Sequence, residues 1–109
     1  MDENDRALVL EFKNRLTPEL SAAVRRIIVF GSRARGSAAT DSDLDVIALV
    51  DKKTPSVERA LEDVAYQVMW DHDFKPMISL KVFEQARYVD AVNRGFSFYR
   101  HVEHEGVAV

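Results

Sequence analysis

Hydrophobic positions near the start of the chain recur at helical spacing, with Leu8, Val9, Phe12 and Leu16 falling on one face. Thr17-Pro18 supplies an N-cap and a first-turn proline, so a second short helix is predicted to restart there and to carry Leu20 and Val24. Ile27-Ile28-Val29-Phe30 differs in kind. It is a continuous β-branched and aromatic run ending at Gly31, the pattern of a buried strand. After a polar loop, Leu44 to Val50 reads as a second strand. Thr54-Pro55 marks another helix start, and Val57, Ala60, Leu61, Val64, Ala65, Val68 and Met69 then share one face for about four turns. Lys75-Pro76 resets the chain into a third strand, Met77 to Phe83. The remainder reads as one or two helices, broken near Asn93-Arg94-Gly95 and stopped at Gly106.

That order predicts an α/β (α+β) fold: a small mixed sheet of three to four strands flanked by helices, which pack mainly on one face. The 109 residues are expected to form a single domain, 1–109, and no repeat, linker or low-complexity tract divides them. Apolar residues at 47% suit a globular core rather than a disordered tail. The net charge of −3 argues against loose electrostatic binding to nucleic acid, though not against a local anion pocket. Without cysteine there is no disulfide, thiolate metal site or thiol nucleophile. No apolar run approaches the roughly 20 residues that span a bilayer, and the acidic start Met1-Asp2-Glu3-Asn4-Asp5 is unlike a signal peptide. A soluble, cytoplasmic protein with no membrane association is expected.

Chemistry concentrates between Gly31 and Asp45. Arg25, Arg26, Arg33 and Arg35 lie in or just before the first half, while Asp41, Asp43 and Asp45 crowd the second. Such a loop has the parts to hold a polyphosphate together with its metal ion. Gly31 lets the backbone turn sharply where the first strand ends, and Ser32 can open a short helix whose first amides suit a phosphate. The same residues also fit an ordinary strand–turn–helix junction. Asp43 and Asp45 alternate along a strand, so both carboxylates share a face with Cα atoms about 6.5–7 Å apart. At that spacing they can converge on one Mg²⁺ or bridge two. Two familiar loops fail here. Gly31 and Gly36 have P-loop spacing, but Ser37-Ala38 stands where the phosphate-binding lysine pair is needed. Asp41, Asp43 and Asp45 have EF-hand spacing, but Val46 replaces the glycine and Lys52 the bidentate glutamate.

Taken together, Gly31-Ser32, ten intervening residues and Asp43-Leu44-Asp45 resemble the active-site signature of the DNA polymerase β-type nucleotidyltransferase superfamily. Within it the chain is similar to the minimal nucleotidyltransferases, the MntA-like antitoxins. Ala34-Arg35-Gly36, Ser42-Asp43 and Glu105-Gly106-Val107 also match, so the resemblance covers nearly the whole chain. It implies that Gly31 and Ser32 hold the phosphates of ATP or another nucleoside triphosphate, with Arg33 or Arg35 assisting. It implies that Asp43 and Asp45 are catalytic and bind Mg²⁺. The implied reaction is transfer of a nucleotide, AMP above all, to a hydroxyl, a tyrosine of a HEPN-domain toxin protein that the chain neutralises. A homo-oligomer is a further possibility in such families.

One departure stands out. The superfamily has a third carboxylate on the later strand, where this chain reads Lys75-Pro76-Met77-Ile78-Ser79-Leu80-Lys81-Val82-Phe83. Ser79 takes that place by position, and Asp71 or Asp73 could serve only if the chain bends to bring them in. The vacancy leaves a second reading open, a non-catalytic nucleotide-binding or partner-neutralising module. A third, a transferase acting on a small molecule such as an aminoglycoside, has little chain left to build its pocket. His101 and His104 read as surface residues, Trp70 as a packing residue, and Phe96, Phe98, Tyr99 and Val102 as core or as a patch for a partner.

Overall fold

A computed structural model describes residues 1–36 and 42–109. In chain order these form α1 (Glu3–Asn14), α2 (Pro18–Ala23), β1 (Val24–Phe30), α3 (Ser32–Arg35), β2 (Leu44–Val50), α4 (Pro55–Asp71), β3 (Ile78–Glu84), α5 (Gln85–Asn93), α6 (Ser97–Glu105) and β4 (Val107–Ala108). The Asp2, Thr17 and Thr54 side chains cap α1, α2 and α4 by accepting from backbone amides in the first turn. The strands form one mixed sheet in the order β3-β2-β1-β4. β1 runs antiparallel to β2 and to β4, while β2 and β3 are parallel and joined through α4.

Helices cover both faces, not mainly one. Leu44, Val46, Ala48 and Val50 of β2 join Leu8, Val9 and Phe12 of α1 and Leu61, Ala65 and Val68 of α4 in the larger core. Ile47 and Leu49 point the other way and pack with Ile28, Tyr88 of α5 and Val102 of α6. That second layer explains why β2 lacks polar alternation past Asp45: a strand covered on both sides must be apolar at every position.

One boundary differs from the sequence expectation, and two further details add to it. Val24 opens β1 rather than closing α2. The extra length is accommodated by an irregularity in pairing between Val24 and Arg26, and fixed by ion pairs from Arg25 to Asp51 and from Arg26 to Glu103. Gly106 ends α6, but the chain then adds β4 against Ile28 and Val29. A Cβ on Gly106 would lie 2.5 Å from the Val102 carbonyl oxygen, so only glycine lets the backbone pass this close. Trp70 packs its ring against Tyr66 and Phe74, yet it does so on the surface, 62% exposed.

Candidate active site at the sheet end

Strand register assembles the site. Phe30, the last residue of β1, pairs with Asp45, and Asp45 pairs on its other side with Ser79. One step inward along the same face the row is Ile28, Ile47 and Lys81. Asp43 lies just before β2 and is exposed; Asp45 is half-buried. Gly31 follows Phe30 with φ 77°, a conformation that disfavours any side chain. A Cβ there would sit 2.6 Å from Asp45 Oδ2. The glycine backbone is thus pressed directly against the carboxylate, and α3 starts from it with no side-chain cap on its first turn. Gly36 closes α3 in the left-handed region.

The electrostatics at Asp45 are unfavourable in the absence of a ligand. Burial pushes its carboxyl above the usual range, and the Asp43 charge pushes it further; Lys81 opposes both. Two acids held this way gain from a cation, whereas an ordinary turn would gain from separating them.

The two arginines assigned to phosphate behave differently. Arg33 turns inward, its Nη1 donating to both carboxylate oxygens of Asp5 at 2.9 and 3.0 Å and its Nε donating to the Ser42 carbonyl at 2.8 Å. Asp5 is 4% exposed. The pair therefore ties α1 and α3 to the residue preceding Asp43, and Arg33 acts as a brace within the described structure. Sequence reasoning missed Asp5, although its position offered a signal. It precedes Leu8, Val9 and Phe12 on the buried stripe of α1, where an acid needs a partner. Arg35 is half-exposed and reaches Glu105 at 3.7 Å.

Of the substitutes for the third acid, Ser79 occupies the register position beside Asp45. Asp71 is engaged by Arg15 at 2.7 Å. Asp73 lies in an exposed turn with φ 57°. His101 pairs with Glu105 on the surface. Asp41 and Ser37-Ala38, which entered the loop comparisons above, fall outside the described residues.

Comparison with known proteins decides the family. The sequence model of the family "Nucleotidyltransferase domain" matches residues 9–99, which include Gly31, Asp43, Asp45 and Ser79. The chain belongs to this family. This nucleotidyltransferase is also 30% identical over 106 residues to a Methanocaldococcus jannaschii protein named "Putative protein adenylyltransferase MJ0141", covering 94% of this chain and 95% of the relative. The mixed α/β architecture agrees with the family.

Nucleotidyltransferases of this family generally use a nucleoside triphosphate and a divalent metal ion. The residues present fit such an ion: Asp43 and Asp45 are crowded together, and the Gly31 backbone leaves the Asp45 oxygen uncovered by a side chain. Among the described residues no group of three or more His, Cys, Asp or Glu side chains could hold a metal. A cation at this corner would therefore draw its remaining ligands from phosphate oxygens and water. No helix among the described residues is long and apolar enough to cross a membrane.

Proposed function

We propose that this nucleotidyltransferase moves AMP from ATP to a tyrosine hydroxyl of a HEPN-domain toxin and so acts as its antitoxin, with Mg²⁺ as the metal. The observation that carries the reading is the register that sets Asp45 between Gly31 on one side and Ser79 on the other. The triphosphate tail belongs on the Gly31-Ser32 side and the acceptor on the Ser79 side. The α-phosphorus then lies before Asp45, in line between entering and leaving oxygens.

In the transfer, a bond forms between the acceptor oxygen and the α-phosphorus. The bond from that phosphorus to the oxygen bridging the α- and β-phosphates breaks, pyrophosphate departs, and the hydroxyl proton passes to water. Mg²⁺ held by Asp43 and Asp45 would neutralise phosphate charge. The protein's own work is alignment: Arg33 and Asp5 brace the loop end, and β2 fixes the two acids at one edge.

The absence of an acid at Ser79 bears on the acceptor. With no carboxylate there to take the proton, a hydroxyl that ionises near pH 10 has a large advantage over an alkyl hydroxyl. That favours tyrosine. The name of the M. jannaschii relative supports a protein as the acceptor and AMP as the group transferred.

Ser79 also favours a second reading, neutralisation by complex formation without turnover. Incubating the protein with MgATP and the toxin, followed by mass spectrometry, separates the two. Transfer adds the mass of AMP to a toxin tyrosine and is lost in Asp43→Asn and Asp45→Asn. An unmodified toxin that is nevertheless neutralised, equally by wild type and by the double variant, would overturn the enzymatic reading.

A further inference from the structure

We propose that Lys81 is a catalytic residue of the transfer, its ammonium contacting the α-phosphoryl oxygens from the acceptor side of Asp45. The inference rests on the nucleotidyltransferase reading above and deepens it. Alternation along β3 puts Lys81 on the same face as Ser79, and the parallel register puts Ser79 beside Asp45 and Lys81 beside Ile47. A residue diagonal to Asp45 across adjacent strands has its Cα about 7–8 Å away, within reach of a charge on a four-carbon stem.

What surrounds Lys81 points to a ligand rather than to a structural ion pair. It is exposed, and β3 is an edge strand with nothing paired on its outer side among the described residues. Lys81 forms no salt bridge among the described residues, yet its charge is felt at Asp45. Other exposed cations, Arg59 and Lys75 among them, also form no salt bridge among the described residues, so what sets Lys81 apart is its place diagonal to Asp45. On the inner side stand Ile47 and the aromatic group of Phe30, Phe83 and Phe98. Phe98 bridges the other two rings, with centroids 5.8 and 6.4 Å away. The ammonium is open to solvent on the outer side of β3 and, on its own face, reaches toward the space in front of Asp45. There the transferred phosphoryl group gains negative charge that a fixed positive group would stabilise.

The placement suits a site that carries Ser79 in place of an acid. A third carboxylate would add negative charge beside Asp43 and Asp45 and demand more metal. Ser79 with Lys81 instead leaves two acids and one resident cation, so less of the positive charge on the acceptor side has to come from solution.

The test is calorimetric titration of wild type, Lys81→Met and Lys81→Arg with Mg²⁺ and α,β-methylene-ATP, and separately with Mg²⁺ and pyrophosphate. Thermal melting of each variant accompanies it. Lys81→Met is expected to melt with wild type and bind pyrophosphate equally, but to hold the ATP analogue about 5- to 10-fold more weakly. Lys81→Arg, which keeps the charge, should recover at least part of the loss. In turnover, Lys81→Met should lower kcat roughly 100-fold with a smaller change in KM for MgATP. Analogue binding and kcat unchanged in Lys81→Met would overturn the role of Lys81 alone. Failure of the wild type to bind either ligand would overturn the nucleotide site itself.

Discussion

Two charged clusters lie at the ends of the segment between β1 and β2, one acid with an arginine and one pair of acids, and they are built on opposite principles. Asp5 is almost fully buried, yet both its oxygens are satisfied by the Arg33 guanidinium, which also holds the Ser42 carbonyl. Asp43 and Asp45 are more accessible to water but repel each other, and Asp45 is held less acidic than usual. The first cluster is complete as it stands. In the second, the repulsion is opposed only in part, by Lys81, and on the proposed function a cation and phosphates would complete it. A buried carboxylate paired with a guanidinium supports the fold, whereas two like charges held together at a strand end make a place where a cation would be favoured.

The sharpest way to break the first cluster is Asp5→Ala. It removes the buried carboxylate that accepts from Arg33 Nη1 and should cost about 3 kcal/mol, measured by urea denaturation. A loss below about 1 kcal/mol would mean the brace is ornamental. Asp45→Asn should do the reverse. It should reduce nucleotidyl transfer about 100-fold or more while raising the melting temperature of the ligand-free protein at neutral pH. The sign follows from the raised carboxyl. The ionised form is disfavoured in the folded state, so the penalty operates at neutral pH and disappears as acidification protonates Asp45. The gap between variant and wild type should therefore close on lowering the pH.

Gly31→Ala strikes the second cluster from its backbone side and comes next in size. The new methyl group would meet Asp45 Oδ2 at 2.6 Å from a backbone with positive φ, so a loss of roughly 1–3 kcal/mol is expected together with weaker nucleotide binding. Smallest is Tyr88→Phe. Tyr88 donates to Glu103 at 2.7 Å, and this bond, reinforced by Arg26, holds the Glu103 carboxyl below its usual range. Losing it should cost about 1 kcal/mol at neutral pH. A lowered carboxyl stabilises above its unfolded value of about 4.3 and ceases to do so as the pH falls through its folded value. The difference from wild type should thus shrink under acid.

Much of this layout was legible along the chain, and the omissions have physical causes. Local pattern marks β1, β2, α4 and β3, because their apolar runs and their Thr-Pro starts need no distant partner to be interpreted. The approach of Gly31 to Asp45 at the strand ends was foreshadowed by their fixed spacing. The burial of Arg33 was not, because it depends on Asp5, 28 residues earlier in sequence. The second helical layer was hidden for a similar reason: α5 and α6 look amphipathic whichever face of the sheet they cover. β4 is two residues long and exists only because β1 offers it an edge. That Trp70 packs was legible, but that it packs on the outside of α4 was not, because its partners Tyr66 and Phe74 are set by how the helix and the turn after it fold.

The contrast between a satisfied acid and a waiting pair is tested most directly by calorimetry of the wild-type protein with ATP, with and without Mg²⁺, beside Asp43→Asn/Asp45→Asn. Nucleotide uptake should require Mg²⁺ and vanish in the double variant, which should still melt at or above the wild-type temperature. Binding that ignores Mg²⁺, or survives loss of both acids, would contradict a site centred on Asp45.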